Sequence, residues 1–436
     1  MQKLWNEPIG ILGFGTEGKS TLKFLQEMGA GNISIFDKSD GVHYLDNLQN
    51  CKTIIRSAGV YPLQKEILNA QAKGAELTSQ IELFFKIMQC DYPHVQIIGI
   101  TGTLGKGSCV SMIAHCLEAL SAPHKIGGNF GIPALDLLQH KNLLLNKDTV
   151  IILELSSFQL MTLKLSPHIG VVLQTTTEHL DWHTSLEQYR DAKANLVRWQ
   201  KKSDYCIYNK ASEGAAQIAN QSIGIKKPFS VEGNAIEIEG HSLSISECKI
   251  TGAHQLQNMA AALLALQSLG FNVKTCMEHL RSYEGLEYRL QKMESKSFKN
   301  KKLDFYNDSY STRPEAAISA AASMSKPFAI ILGGSEKHAD FTELSQELAK
   351  NNLLNSVALI GTTAERLQKS LQSENCKAAM QIFENLPTAF QWCLENTPNN
   401  GAILLSPACA SFGLFANYKE RGEAFNKLLN SLNFMA

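Results

Sequence analysis

Two short apolar runs, Ile9–Leu12 and Val95–Ile100, each lead straight into a glycine-rich turn and then into an apolar-periodic helical stretch. That succession constrains the chain to parallel sheets covered by helices, because a strand buried on both faces reads as an unbroken apolar run. The second turn, Gly99-Ile-Thr-Gly-Thr-Leu-Gly-Lys-Gly-Ser108, ends in a lysine at the start of a helical stretch reaching Leu120. Backbone N–H groups and a helix N-terminus facing one point, with an ammonium beside them, make a phosphate cradle. A strict P-loop has a glycine where this turn has Ile100, and Gly13-Phe-Gly-Thr-Glu-Gly-Lys-Ser20 matches the string more closely. That first turn also fits a dinucleotide fingerprint. Gly13, Gly15 and Gly18 follow one strand and Asp37 follows the next, placed for a ribose or base. The plainer alternative, small residues that only let a helix pack closely on a strand, explains those glycines equally well.

The segments downstream separate the two turns. Val150-Ile-Ile-Leu-Glu154 is an apolar strand ending in a carboxylate, the position from which a P-loop protein reaches magnesium beside the phosphates. No comparable acidic strand end stands ready to share magnesium with Ser20. Thr175-Thr-Thr-Glu-His-Leu-Asp-Trp-His183 gathers metal-competent groups in one turn after another apolar strand. His179 and His183 have a spacing that zinc could use, but no HExxH pattern or nearby cysteine accompanies them, and the oxygen-rich surroundings favour magnesium. Lys193, on a helix predicted over Leu186–Trp199, reads by itself as a solvated lysine.

Strand-like and helix-like stretches alternate through all 436 residues, which predicts three consecutive α/β domains: 1–92, 93–285 and 286–436. The first includes an amphipathic stretch at Ile81–Met88, and Cys90–His94 reads as a linker. The second carries a hairpin over Ala235–Ile245 and a helix over Gln257–Leu269. The third has strands at Leu303–Tyr306, Phe328–Leu332, Val357–Ile360 and Ile403–Leu405. Three polar turns follow strands there: Asn307-Asp-Ser309, Gly333-Gly-Ser-Glu-Lys-His-Ala-Asp340 and Ser406-Pro-Ala-Cys-Ala-Ser411. Strand carboxyl ends are where open α/β sheets collect ligands, so one pocket is expected from them, with well-capped loops as the alternative. Cys409 as a nucleophile has no neighbouring histidine in sequence to support it. Formal net charge is zero, which argues against bulk binding to nucleic acid or an anionic membrane. The ten cysteines form no C-x-x-C pair, and neither a signal-peptide core nor a membrane-length apolar run is present. A cytoplasmic protein with reduced thiols is expected.

Taken together, GFGTEG, SQIELF (79–84), GITGTLGKGS, GGNFGIPAL (127–135), ELSSFQL (154–160), TEHLDWH and YRDAK (189–193) resemble the Mur ligase family. TGAHQLQN (251–258), GLEYR (285–289), NDS, GGSEKHADF and SPACASF extend the resemblance over nearly the whole chain. It implies a Rossmann-like N-terminal domain, a central P-loop ATPase domain and a Rossmann-like C-terminal domain closing over the substrates. The implied activity is ATP-dependent addition of D-glutamate to UDP-N-acetylmuramoyl-L-alanine through an acyl phosphate, in peptidoglycan precursor synthesis. By the same resemblance Gly15, Thr16, Asp37, Asn129, Ser156 and Gln159 face the UDP precursor. Thr103, Gly105, Lys106, Gly107, Ser108, Asn258, Arg289 and Asp308 serve ATP. Glu154, His179 and Lys193 join Lys106 as the catalytic set, and with Ser108 they hold magnesium, Lys193 as a carbamate. Thr312, Lys337, Ser411 and Tyr418 receive the glutamate. A monomer is expected.

The sequence departs from the family pattern at four places. Leu104 replaces an asparagine. Gly107-Ser108 replaces two hydroxyl residues, which leaves Ser108 to supply the metal-binding hydroxyl. Tyr310 stands where a lysine is usual, which leaves Lys337 as the cation for the glutamate carboxylate. Gln255 for asparagine is milder. An L-glutamate-adding muramyl ligase is the nearest alternative. A folylpolyglutamate synthase fits ELSSFQ and SPACASF poorly, and a nicotinamide-dependent oxidoreductase leaves Glu154 and His179 without a task.

Overall fold

The computed structural model describes residues 7–138, 147–179, 182–250, 252, 254–336 and 339–432. It is a mixed α/β structure that divides into two compact units, Met1–Cys248 with Ala253–Tyr283, and Lys249–Gly252 with Glu284–Ala436.

The first unit holds two parallel sheets. One comprises β1 (Ile9–Leu12), β2 (Ile33–Phe36), β3 (Thr53–Arg56) and β4 (Glu76–Ser79) in the order β2-β1-β3-β4. The other comprises β5 (Gln96–Thr101), β6 (His124–Gly128), β7 (Val150–Glu154), β8 (Ile169–Val172), β9 (Tyr205–Asn209) and β10 (Ile225–Phe229), ordered β10-β9-β8-β5-β7-β6. The expected hairpin is β11 (Ala235–Ile238) paired with β12 (His241–Ser244).

One apolar cluster runs through both sheets, from Ile9, Ile11 and Phe24 through Phe84 and Phe85 to Ile97, Leu135 and Leu153. The helix Gln80–Asp91 lies within it. Its sequence predicts one apolar face, yet Gln80 through Phe85, Ile87 and Met88 are all buried. A helix with protein on opposite sides has little solvent face left to be polar.

The second unit is built on β13 (Gln291–Lys292), β14 (Lys296–Phe298), β15 (Lys301–Asn307), β16 (Phe328–Gly333), β17 (Leu354–Ile360), β18 (Ala379–Phe383) and β19 (Ala402–Leu405). The order is β13-β15-β19-β16-β17-β18, with β14 also paired to β15. β13 and β14 run antiparallel to β15, and the rest are parallel.

The expected interior strands are present. The strands that apolar runs did not predict, β4, β6, β10, β13, β14 and β18, are edge strands or short antiparallel additions. Exposure on a sheet edge removes the need for an apolar run, and β10 even carries Pro228, which an edge tolerates. Among the described residues no helix is long and apolar enough to cross a membrane.

Candidate active site

β5 pairs with β7 so that Ile100 lies beside Glu154, and with β8 so that Thr101 lies beside Val172. Three strand ends therefore meet where the strand order reverses, the usual place for a ligand in such a sheet. The phosphate-cradle turn leaves β5 with Gly102 and Gly105 at φ +152° and +84°. A Cβ on Gly105 would stand 2.1 Å from Asn258 Oδ1, so the helix His254–Ser268 brings Asn258 against the turn, and only glycine allows it. Thr103 is fixed on three sides. Its N–H donates to Gln174 O at 2.8 Å, its hydroxyl accepts from Thr176 N at 3.0 Å, and that hydroxyl lies 2.9 Å from the Tyr189 hydroxyl. Gly107 and Ser108 are buried in the first turn of the helix Lys106–Ala119, while Leu104 is exposed.

Lys106 Nζ donates to Gly102 O at 2.9 Å and Thr103 O at 2.8 Å. Lys193 Nζ donates to the same Gly102 carbonyl at 2.9 Å and lies 4.6 Å from the centre of the Tyr189 ring. The solvated-lysine reading of Lys193 is therefore wrong: the residue is 2 % exposed. Burial, and then the neighbouring Lys106 charge, hold it well below the ordinary lysine range, although Glu178 and Glu154 oppose the shift. The helical spacing of Tyr189 and Lys193 puts both on one face, a signal available in YRDAK that composition hides.

Glu154 ends β7 with its carboxylate accepting from Asn129 Nδ2 at 2.7 Å and its carbonyl from Asn129 N at 2.8 Å. Ser156 and Gln159 form a capping box on the helix Ser157–Leu160, and Gln159 Nε2 also donates to Glu17 Oε1 at 2.7 Å. His179, at φ +58°, has Nε2 3.4 Å from Glu178 Oε2 and its ring 4.7 Å from Phe158. His183 is fully buried, with Nε2 2.9 Å from Ser157 Oγ and its ring stacked on Phe158, which suits packing rather than a zinc pair.

Among the described residues no three His, Cys, Asp or Glu side chains converge on one metal position. Magnesium does not need such a cage, since one or two carboxylates plus substrate phosphates hold it. The buried Glu154 carboxylate and the Ser108 hydroxyl beside a phosphate turn supply hard oxygen donors of that kind.

At the first turn, a Cβ on Gly18 would strike Gly13 O at 2.2 Å, so this glycine serves close packing, whereas one on Gly15 would meet open space. Gly15 and Thr16 are exposed at the start of the helix Thr16–Glu27. Asp37 reaches this turn through Oδ2, which accepts from Phe14 N at 2.5 Å, while Oδ1 caps the residues that follow it by accepting from Ser39 N at 3.0 Å. Those bonds hold its carboxyl below the ordinary range.

In the second unit Asp308 is buried, with Oδ1 accepting from Leu290 N at 2.8 Å and Oδ2 from Ser406 Oγ at 2.6 Å. Arg289 lies 4.1 Å over the Tyr310 ring, which meets Tyr418 edge-on at 5.0 Å. Ser411 is buried and Thr312 half-buried nearby in sequence, while Lys337 lies outside the described residues. Cys409 is buried beside the Thr363 hydroxyl at 3.4 Å, and burial pushes its thiol up, which suits an inert packing role and not a nucleophile. Sequence reasoning missed Arg421. Its buried guanidinium donates to Ser309 O at 2.8 Å, Ser309 Oγ at 3.0 Å and Cys409 O at 3.0 Å, tying the NDS and SPACAS turns together.

Burial pushes the Asp308 carboxyl from 3.8 up to about 6. The folded state therefore binds this proton more tightly than the unfolded one. The resulting stability is full below pH ~4 and is lost as pH rises through about 6. Asp308→Asn keeps both hydrogen bonds, with Oδ1 accepting from Leu290 and the amide donating to Ser406. Between pH 4 and 7.5 the wild type is expected to lose about 2 kcal/mol relative to this variant. Urea midpoints at three pH values check it; a constant difference would contradict the assignment.

Residues 100–266 match the family model of the Mur ligase middle domain. The chain is 27 % identical to UDP-N-acetylmuramoylalanine--D-glutamate ligase from Clostridium kluyveri, over 97 % of this chain and 96 % of that protein. The protein of the same name from Acetivibrio thermocellus is 28 % identical, over 99 % and 98 % of the two chains. Among solved structures, UDP-N-acetylmuramate-alanine ligase from Thermotoga maritima shares the fold with a TM-score of 0.60 and 17 % identity, covering 98 % of this chain and 100 % of that one. A MurF ligase from the same organism, solved in complex with ADP, has a TM-score of 0.60 and 15 % identity over 100 % and 97 %. Around the phosphate turn the chain thus matches a Mur ligase middle domain, and along nearly its whole length it is similar to proteins named UDP-N-acetylmuramoylalanine--D-glutamate ligase.

Proposed function

We propose that this protein is an ATP-dependent amide ligase that joins D-glutamate to the alanine carboxylate of UDP-N-acetylmuramoyl-L-alanine, in the cytoplasmic synthesis of peptidoglycan precursor. The observation that carries the reading is the meeting of Lys106, Glu154 and Lys193 around one phosphate turn, within a chain whose relatives bear that activity in their names.

A carboxylate is a poor acyl donor. The precursor carboxylate attacks the γ-phosphorus, ADP leaves, and the acyl phosphate formed is attacked by the glutamate amine; the tetrahedral intermediate then expels phosphate and leaves the amide. Two anions must approach in the first step, and Lys106 stabilises the charge that builds on the β- and γ-phosphates. Glu154, His179, Ser108 and a carbamate on Lys193 would hold magnesium, which would supply further charge neutralisation there. Thr103, Gly105 and Gly107 shape the triphosphate turn, and Asn258, Arg289 and Asp308 serve the nucleotide. Gly15, Thr16 and Asp37 take the UDP end of the precursor, with Asn129, Ser156 and Gln159 facing its other end. Thr312, Lys337, Ser411 and Tyr418 receive the amino acid. The proposed functional division is 1–92, 93–285 and 286–436, in a monomer.

Phosphate release is expected only when precursor, ATP, magnesium and glutamate are present together. Running D- and L-glutamate side by side tests the stereochemistry, which the exposed Tyr310 makes worth testing. Release with L-glutamate alone would replace the D-specific reading, and release without any amino acid would remove the ligase reading altogether.

A further inference from the structure

Arg56 is the last residue of β3 and is fully buried, yet among the described residues no carboxylate is one of its hydrogen-bond partners. One terminal nitrogen donates to the carbonyls of Ser57 (3.3 Å), Ala58 (3.1 Å) and Val60 (2.7 Å). The other donates to Phe158 O at 2.8 Å and Thr162 Oγ1 at 3.4 Å. Its Nε is buried with no hydrogen-bond partner. Burial draws the guanidinium down to about 10 against the pull of Glu17.

Glu17 grips the same two segments. One carboxylate oxygen accepts from Ala58 N at 2.8 Å and the other from Gln159 Nε2 at 2.7 Å. Ser57 Oγ in turn donates to Gly13 O at 2.7 Å, which ties this strand-end segment to the first glycine turn. A buried cation held only by neutral acceptors is a poor way to gain stability, because an aliphatic side chain of similar size avoids the desolvation. Its distinctive property is directional: five acceptors on two segments fix their separation, which apolar packing does not.

We propose that Glu17 and Arg56 are a positioning pair that locks the first glycine turn to the strand end carrying Glu154, Ser156 and Gln159, so that one long ligand is held at both ends in register. This rests on the proposed function for the ligand's identity, a nucleoside diphosphate joined through a sugar to a carboxylate. Displacement by about 1 Å at the reacting end costs roughly a hundredfold in rate.

The test separates a spanning ligand from a one-ended one. Titration calorimetry with UDP alone and with UDP-N-acetylmuramoyl-L-alanine is run on the wild type, Glu17→Gln and Arg56→Met, and steady-state kinetics are run in parallel. Both variants are expected to bind UDP within about twofold of the wild type, to bind the full precursor at least tenfold more weakly, and to keep KM for ATP within twofold. Arg56→Lys restores less than half of the loss, since an ammonium lacks the planar fork. Equal weakening of UDP and precursor, or no change in either, overturns the pair. If Arg56→Met does not fold, Glu17→Gln decides alone, because at a half-buried site it removes the charge and one of the two acceptor oxygens without changing the side chain's size. A wild type that binds precursor but releases no phosphate removes the ligase reading while the binding comparison still judges the pair.

Discussion

Lys106→Ala is expected to reduce phosphate release about a thousandfold while the protein stays folded. Removing one preorganised charge from developing negative charge in a partly water-excluded site typically costs 10²–10³ in rate, and here the charge opposes two approaching anions. The fold is spared because the bonds that Lys106 makes to Gly102 O and Thr103 O, at 2.9 and 2.8 Å, stay within its own turn. The glycines and Asn258 continue to shape the turn without it. Phosphate release and a melting curve on the same preparation check both halves. A variant retaining more than a tenth of wild-type activity would mean that the triphosphate is held elsewhere, with Gly13–Ser20 the next turn to examine.

The second large effect belongs to Lys193. Lys193→Ala is expected to lower turnover at least a hundredfold and to recover about tenfold when formate or acetate is added. The physical basis is the site of its amine. It is buried, bonded to Gly102 O, and depressed well below the usual lysine range, so the neutral amine that can add to carbon dioxide is favoured. Truncation leaves a space beside Thr101 and Tyr189 into which a small carboxylate fits in place of a carbamate. Lys193→Arg, which fills the space with a permanent cation, gains nothing from added acid. Carbon-13 spectroscopy in labelled bicarbonate gives an independent signature: a carbamate resonance present in the wild type and absent from Lys193→Ala. No rescue and no resonance would reduce Lys193 to a packing residue.

Much of this architecture was legible from local pattern. Strands buried on both faces announce themselves as apolar runs, and Glu154 could be placed because it ends such a run. The edges were not legible: β10 is IKKPF and β18 is half exposed, so neither carries a burial signal. At the candidate site the misses share one cause. Lys193, Arg56 and Arg421 are charged residue types, which sequence reasoning assigns to solvent, but all three are buried because backbone carbonyls from distant turns converge on them. Which carbonyls will converge is a property of strand order, and strand order is set by long-range pairing that no window of sequence contains. Asp37 carries a signal of another kind. Its spacing points to a ligand, and in the structure Oδ2 also accepts from Phe14 N in the first glycine turn while Oδ1 accepts from Ser39 N two residues on.

The helix Gln80–Asp91, enclosed on nearly every side, bears on how such a chain can be inherited or engineered. A segment ending near residue 92 would carry off Ile81, Leu83, Phe84, Phe85, Ile87 and Met88, all buried in a core shared with the second sheet. At ~2 kcal/mol for each apolar side chain left in water, even half of that loss rivals the whole stability of an ordinary domain. The first glycine turn is therefore not a portable nucleotide-binding cassette. It can be exchanged between proteins only with the sheet that completes its core.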